Sequence, residues 1–260
     1  GRGRRGRQQR AAGPPDFKKS SVRVLSPDSW RSETKSPKLI ILVAFYKPND
    51  PVFAEAAEGY KELGKSLEGY VKVAAVDCGQ HQAFCEERGV GRKLLRQGPV
   101  IKLYGYRAHD RPRSFNGRIS PKALHKFVRK NMPSFATVIR DSIDAKNFIG
   151  KKASTGTKIF LISKKTKVSL LYSSLSKDFH QHVGFALIPS SAHSALRSLK
   201  KLGVDMEDAI LDENALPVIY IHHPSIGEKP RRYRGKLTYQ ELRKYVNTLI
   251  KRLKKIKNEL

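Results

Sequence analysis

The apolar residues of this chain fall into short blocks that switch between two periods. Leu39 to Tyr46 is a continuous apolar run, as expected of a strand buried on both faces. Lys47-Pro48-Asn49-Asp50 interrupts it. Val52, Ala56, Tyr60 and Leu63 then recur at helical spacing, with Leu67 one turn on, which predicts a helix over 51–67. Tyr70 to Val76 alternates as a strand, Gln80 to Arg88 reads as a short helix, and Val100 to Tyr104 follows Gly98-Pro99 as another strand. Arg113 to Phe115 reads as an edge strand. Ser120-Pro121 is an N-cap followed by proline at the first helical position; the helix it opens runs to about Asn131 and stops before Pro133. Upstream, Val22 to Leu25 reads as a strand and Ser26 to Arg31 as a helix. The predicted order is β-α-β-α-β-α-β-β-α.

The pattern then repeats. Phe115-Asn116-Gly117-Arg118-Ile119-Ser120 and Leu124 to Val128 align with Tyr233-Arg234-Gly235-Lys236-Leu237-Thr238 and Leu242 to Val246, an offset of 118 residues from Gly117 to Gly235. The same offset lays Gly98-Pro99-Val100-Ile101 on Leu216-Pro217-Val218-Ile219, and Leu39 to Ala44 on Thr157 to Ile162. Two unrelated folds would have to share strand, proline, glycine and cap positions by chance, so the chain reads as two copies of one fold. The last helix opens on a Thr238–Glu241 capping box and carries Leu242, Tyr245, Val246, Leu249, Ile250, Leu253 and Ile256 as one stripe, with Lys and Arg around the rest. That stripe suits packing within a domain or, alternatively, a membrane surface.

Charge changes the picture more than composition does. The 260 residues are 39% hydrophobic, ordinary for a globular protein of one or two domains. Lys and Arg number 52 against 23 Asp and Glu, a net charge of +29, which favours acidic partners unless it merely solvates the surface. Residues 1–20 form a basic tail, Arg2, Arg4, Arg5, Arg7 and Arg10 among Gly and Gln; it has no core-forming residues and reads as a disordered linker or an RNA-binding tract. No apolar run reaches the ~18 residues that span a bilayer. A chain beginning at Gly1 rather than methionine is expected to be a processed or truncated product.

Few residues carry chemistry. Cys78, at a strand end, and Cys85, in the following short helix, are the only cysteines, which excludes a Cys-x-x-Cys metal site. Such placements can come within the ~5.5 Å Cα spacing of a disulfide; two buried free thiols, or residual thiol chemistry through the pair, are the alternatives. His180, His182, His222 and His223 have no acidic or histidine neighbours at metal spacing, so no metal and no cofactor is expected. No Ser/His/Asp order, phosphate loop or dinucleotide fingerprint is present.

Phe45-Tyr46-Lys47-Pro48-Asn49-Asp50-Pro51-Val52-Phe53 resembles the Phe-Tyr-x-Pro-x-Cys-x-x-Cys motif of the protein disulfide isomerase family, with Asp50 and Phe53 in place of the thiols. A thiol at that helix N-terminus would be held as thiolate; none is there. Val76-Asp77-Cys78 through Cys85 resembles the family's Val-Asp-Cys-x6-Cys segment. The resemblance implies a structural Cys78–Cys85 disulfide, and such a bond implies an oxidising compartment. It places a cis-proline at Pro99 and at Pro217, beside a cleft that could hold an extended peptide, or with a purely architectural role. It places the family's buried glutamate and its lysine partner at Ala44 and Ala75, so the proton machinery is missing with the thiols. Phe160 to Lys167, Leu171-Tyr172 and Leu175 to Phe179 look like the non-catalytic thioredoxin-like domain of some endoplasmic reticulum J-domain co-chaperones. Lys257-Asn258-Glu259-Leu260 resembles the Lys-Asp-Glu-Leu retrieval signal, with asparagine at the second position.

The resemblance covers about residues 20–260. It implies an α/β chain of two tandem thioredoxin-like domains, 21–133 and 134–260, each a central mixed β-sheet flanked by helices and each without Cys-x-x-Cys. The expected function is a redox-inactive chaperone, co-chaperone or adaptor module of the endoplasmic reticulum lumen, with no catalytic residue, that binds unfolded client polypeptides or a partner protein. The surface offered is the cleft near Tyr46, Pro48 and Pro99, beside the degenerate active-site loop Tyr46, Lys47, Pro48, Asn49, Asp50 and Phe53, or else an inter-domain groove. An upstream J domain would add an Hsp70-type chaperone as a partner. The alternative is a basic thioredoxin-fold subunit that binds RNA or a ribonucleoprotein assembly.

Overall fold

A computed structural model describes residues 15–34, 40–105, 111–151, 154–206, 213–223 and 229–258. The chain divides between Asn131 and Met132 into two compact units, each built on one five-stranded sheet. The first unit runs β1 (Val22–Val24), α1 (Pro27–Thr34), β2 (Ile41–Tyr46), α2 (Pro51–Ser66), β3 (Lys72–Asp77), α3 (Gln82–Glu87), α4 (Arg92–Leu95), β4 (Val100–Tyr104), β5 (Arg113–Ser114) and α5 (Pro121–Asn131). Its strand order is β1-β3-β2-β4-β5. β1, β3 and β2 are parallel, because helical crossovers join them, while β4 and β5 are added antiparallel. Every residue of β2 is buried, as its apolar run requires of a central strand covered on both faces.

The second unit repeats this plan with β6 (Ala136–Val138), α6 (Ser142–Gly150), β7 (Lys158–Ser163), α7 (Leu170–Phe179), β8 (Gly184–Pro189), α8 (His193–Lys201), a 3-10 turn at Glu213–Ala215, β9 (Val218–His222), β10 (Arg231–Arg232) and α9 (Tyr239–Asn258). Its order, β10-β9-β7-β8-β6, is the same sheet. Both are thioredoxin-like folds: a mixed sheet whose parallel core strands alternate with helices and whose last two strands form an antiparallel pair.

The single repeat offset needs one correction. β4 and β9, β5 and β10, and the starts of α5 and α9 are all related by 118 residues, from Val100 to Val218 for example. In the central strands, however, Phe45 pairs with Val100 and Ile162 pairs with Val218, so β2 maps onto β7 at 117. A one-residue slip exchanges the two faces of a strand. Only the pairing register reveals it here, because both strands are apolar on both faces.

Three other expectations shift. In α2 the buried face is Phe53, Ala57, Tyr60, Leu63 and Gly64, while Val52 is half exposed; the stripe is rotated by one residue from its predicted start. α4, a single turn burying only Leu95, had no apolar period to announce it. The basic tail expected over 1–20 ends earlier: Pro15 to Ser20 is ordered, and Phe17 is buried against Tyr46, Phe53 and Tyr60 at ring distances of 6.1–6.4 Å. Its Arg/Gly portion lies outside the described residues. α9 buries Tyr239, Leu242, Val246, Leu249, Ile250 and Leu253 and packs on α7, so its stripe is used within its own domain. Among the described residues no helix is long and apolar enough to cross a membrane.

One contact recurs at the centre of each sheet. The Tyr60 hydroxyl, fully buried on α2, donates within reach of two strand carbonyls, Ala74 at 2.9 Å and Leu42 at 3.3 Å. In the second unit Tyr172 on α7 does the same with Ile159 at 2.9 Å and Ala186 at 3.0 Å. In each case the two carbonyls belong to the paired parallel strands. Tyr60→Phe and Tyr172→Phe should each cost about 1–2 kcal/mol, because a buried carbonyl loses its hydroxyl partner. Each should lower the thermal transition of its own domain and leave the other's in place, as read by calorimetry.

Candidate functional site

The loop between β2 and α2 holds the two positions that the resemblance assigns to the thiol pair, Asp50 and Phe53. Asp50 is the N-cap of α2: its Oδ1 accepts from the N–H of Val52 at 2.9 Å and of Phe53 at 3.2 Å. A carboxylate is a good cap because those N–H groups have no partner within the helix. Phe53 is wholly buried, 4.7 Å from the ring of Tyr46 and 5.7 Å from that of Tyr60. The two positions that would carry thiols are thus one helix cap and one core side chain. Tyr46 is buried too, and burial next to Asp77 pushes its hydroxyl pKa up to about 12. Phe17 covers the cluster from the chain's N-terminal side.

Of the six loop residues, Asn49 is exposed and Lys47 and Pro48 are half-buried. Pro48 leans on the turn after β3. A Cβ on Gly79 would lie 2.8 Å from Pro48 Cδ, so glycine is needed there for the close approach. Asp77 fixes that turn by accepting from the N–H of Gly79 at 2.7 Å and of Gln80 at 3.1 Å, and the N–H of Cys78 donates to Tyr46 O at 2.8 Å.

Cys78 and Cys85 are joined by a disulfide, their Cα atoms 5.9 Å apart, and both are buried. The bond ties the end of β3 to α3 inside the cluster of Trp30, Phe84, Val90 and Leu95. Arg88 lies over Trp30 and Phe84 at about 5 Å from each ring centre.

The two prolines differ. The Leu216–Pro217 bond is cis, as expected; the Gly98–Pro99 bond is not. Gly98, the residue before Pro99, adopts φ +123°, a conformation open to glycine but not to leucine. Register still puts Pro99 one position beyond the Phe45–Val100 pair, opposite Tyr46.

Ala44 and Ala75 are direct partners across β2 and β3, both completely buried. The positions that the resemblance assigns to a glutamate and its lysine therefore face each other with methyl groups. The second copy has a longer loop, in which Lys164, Lys165, Thr166 and Lys167 are exposed and Ser169 caps α7. His180 stacks on Phe135 at 3.8 Å, His182 Nδ1 is 3.1 Å from Ser154 Oγ, and burial pushes the His222 and His223 pKa values down. Among the described residues no three His, Cys, Asp or Glu side chains gather as a metal site. Of the C-terminal Lys257-Asn258-Glu259-Leu260, the first two residues end α9 and the last two lie outside the described residues.

Sequence reasoning missed two contributors. Phe17, an aromatic residue between Pro14-Pro15 and β1, was a signal against a structureless tail. Lys102, on β4, is buried and donates to the carbonyls of Arg88 at 2.6 Å and Gly89 at 3.2 Å, closing the C-terminal end of α3. Burial pushes its pKa down. An isolated lysine in an apolar strand gave a hint but no partner.

No family model matches the chain. A mitochondrial thioredoxin domain-containing protein of Schizosaccharomyces pombe is 31% identical over 201 residues, 75% of this chain and 50% of that protein. The DnaJ protein ERDJ3A of Oryza sativa is 22% identical over 203 residues, 76% of this chain and 34% of that one. A protein disulfide-isomerase of Arthroderma benhamiae is 24% identical over 195 residues, 74% of this chain and 34% of the isomerase. This chain's homologues are thioredoxin-domain and protein disulfide isomerase-family proteins. It spans half or less of the length of each. Among solved structures, ERdj5 form I superposes with a TM-score of 0.54 over 90% of this chain and 30% of ERdj5; at 15% identity that supports the thioredoxin-like fold alone. The relatives' names carry both mitochondrial and isomerase or DnaJ descriptions.

Two outcomes test this site. Ala44→Glu should destabilise the first domain by about 3–5 kcal/mol, since it buries a charge without a partner. Adding Ala75→Lys should restore part of that loss in urea titrations of the double variant. Tyr46 and Tyr104, the latter also raised to about 12 by burial, keep their protons in the fold beyond the ordinary value near 10. Their stabilising contribution is complete below pH about 10 and disappears as pH rises through about 12. Tyrosinate absorbance should therefore appear together with loss of circular dichroism in that window.

Proposed function

We propose that this chain is a redox-inactive binding module of an endoplasmic reticulum thioredoxin-fold protein: a chaperone, co-chaperone or adaptor piece that holds unfolded polypeptide or a partner protein. One observation carries the reading. Asp50 and Phe53 replace the thiol pair as a helix cap and a core ring, while the only two cysteines are closed on each other. The DnaJ and isomerase relatives support a folding-related role, and the DnaJ relative supports an Hsp70-type partner reached through an upstream J domain. The disulfide favours the endoplasmic reticulum lumen over the mitochondrial address in one relative's name.

The second reading is RNA binding, favoured by the +29 charge and the Arg/Gly tail. It requires affinity for single-stranded RNA that falls by orders of magnitude between about 50 and 200 mM salt.

The deciding experiment sets insulin reduction beside suppression of client aggregation, with alkylation of the native chain followed by mass spectrometry. No turnover, a holdase effect and an alkylation-resistant Cys78–Cys85 pair are expected. Robust turnover without a holdase effect would sink the proposal.

A further inference from the structure

The second domain carries a groove at the edge of its sheet. It measures 510 Å³ and lies where the start of β9 meets the edge strand β10; Pro217, Ile219, Arg232, Tyr233, Arg234 and Leu237 are among its lining. Its scaffold is duplicated. In the first copy Phe115 packs edge-on against Phe127 at 5.4 Å and lies over Gly117; in the second Tyr233 packs edge-on against Tyr245 at 5.0 Å and lies over Gly235. A Cβ at Gly235 would come within 2.2 Å of the Tyr233 hydroxyl, so the ring position depends on that glycine.

The residues around this scaffold differ. At the 118-residue offset, Arg232 and Arg234 occupy the places of Ser114 and Asn116. Both arginines are exposed, so they cover no core, and a structural role does not account for the exchange. Backbone geometry adds a second element. β10 is the outermost strand of its sheet. Arg231 pairs with Ile221, and the Tyr233 N–H donates to Ile219 O at 2.8 Å, so these residues face β9. Antiparallel alternation then turns the N–H and C=O of Arg232 away from the sheet. Among the described residues no strand pairs with that side. Leu237, 38% exposed, adds apolar surface to the lining.

We propose that this groove docks an extended acidic polypeptide segment, laid along β10, whose carboxylates meet Arg232 and Arg234 and whose side chains alternate between charge and apolar contact with Leu237. Guanidinium groups match carboxylates in two-point geometry, and an open strand edge supplies main-chain hydrogen bonds that any extended segment can use. Nucleic acid suits the groove less well. Tyr233 is held by Tyr245 and by its hydroxyl bond to Lys236 O at 3.3 Å, and among the described residues it is the one aromatic ring in the lining, whereas a single strand is gripped by successive stacked bases. The proposal rests on the polypeptide-binding reading above and specifies the class of segment it takes.

The test titrates the full chain with a fluorescein-labelled peptide of alternating glutamate and leucine. A lysine–leucine peptide and an oligouridylate serve as comparators. The double variant Arg232→Ser/Arg234→Asn copies the first domain's own residues at exposed positions. It is expected to bind the acidic peptide about tenfold more weakly, with the difference shrinking as salt rises. In the unsubstituted chain the Arg232 amide should gain hydrogen-exchange protection when the peptide is added. Unchanged affinity in the double variant, an unprotected Arg232 amide, or equal binding of the lysine–leucine peptide would overturn the proposal. So would oligouridylate binding more tightly and being lost in the same variant, which would assign the groove to nucleic acid. If the acidic peptide fails to bind while aggregation suppression persists, this inference falls and the chaperone reading stands.

Discussion

Both domains depend on a tyrosine hydroxyl placed between two parallel strands. Tyr60 and Tyr172 each reach from the helix after the central strand to carbonyls on that strand and its neighbour. A buried phenol without a partner is costly, and each ring is fully enclosed, so the helix can take only positions that bring the hydroxyl to those carbonyls. That fixes the helix against the sheet, and with it the loop that starts the helix. Desolvation holds both hydroxyls protonated well above the ordinary phenol range.

The state of the first loop follows from this fixed helix. Phe53 lies on the same helical face as Tyr60, so the ring inevitably enters the core, and Tyr46 and Phe17 pack around it. Asp50 caps the helix, Pro48 rests on Gly79, and Ala44 meets Ala75 across the strands. Each choice agrees with the others. Charge is absent from both sides of the Ala44–Ala75 pair together, and no polar group is left stranded between them. The closed Cys78–Cys85 bond stands apart from this cluster, on the side of Trp30 and Phe84.

Much of the fold could be read from hydrophobic period and punctuation. A continuous run marked β2 as a central strand, the repeat carried that reading over to β7, and Ser120-Pro121 and Thr238 marked the starts of α5 and α9. What could not be read depended on three-dimensional register. The slip from 118 to 117 between copies is invisible in strands apolar on both faces, since either register buries the same kinds of side chain. The two prolines looked equivalent because they align, yet only the Leu216–Pro217 bond is cis. Phe17 was assigned to the tail because its neighbours are polar; its burial depends on a pocket formed by residues far along the chain. In the site, the loss of both thiols and of the charge pair was legible, whereas the way packing filled the vacated positions was not.

The disulfide has a kinetic consequence. The chain has two cysteines and they bond to each other, leaving no free thiol. A thiol oxidoreductase can hold a partner as a mixed disulfide and release it only when a second thiol resolves the bond. While Cys78–Cys85 stays closed and buried, neither sulfur can act as the attacking thiolate. On the binding role proposed above, residence time set by contact rather than exchange chemistry would then govern how long a partner is kept.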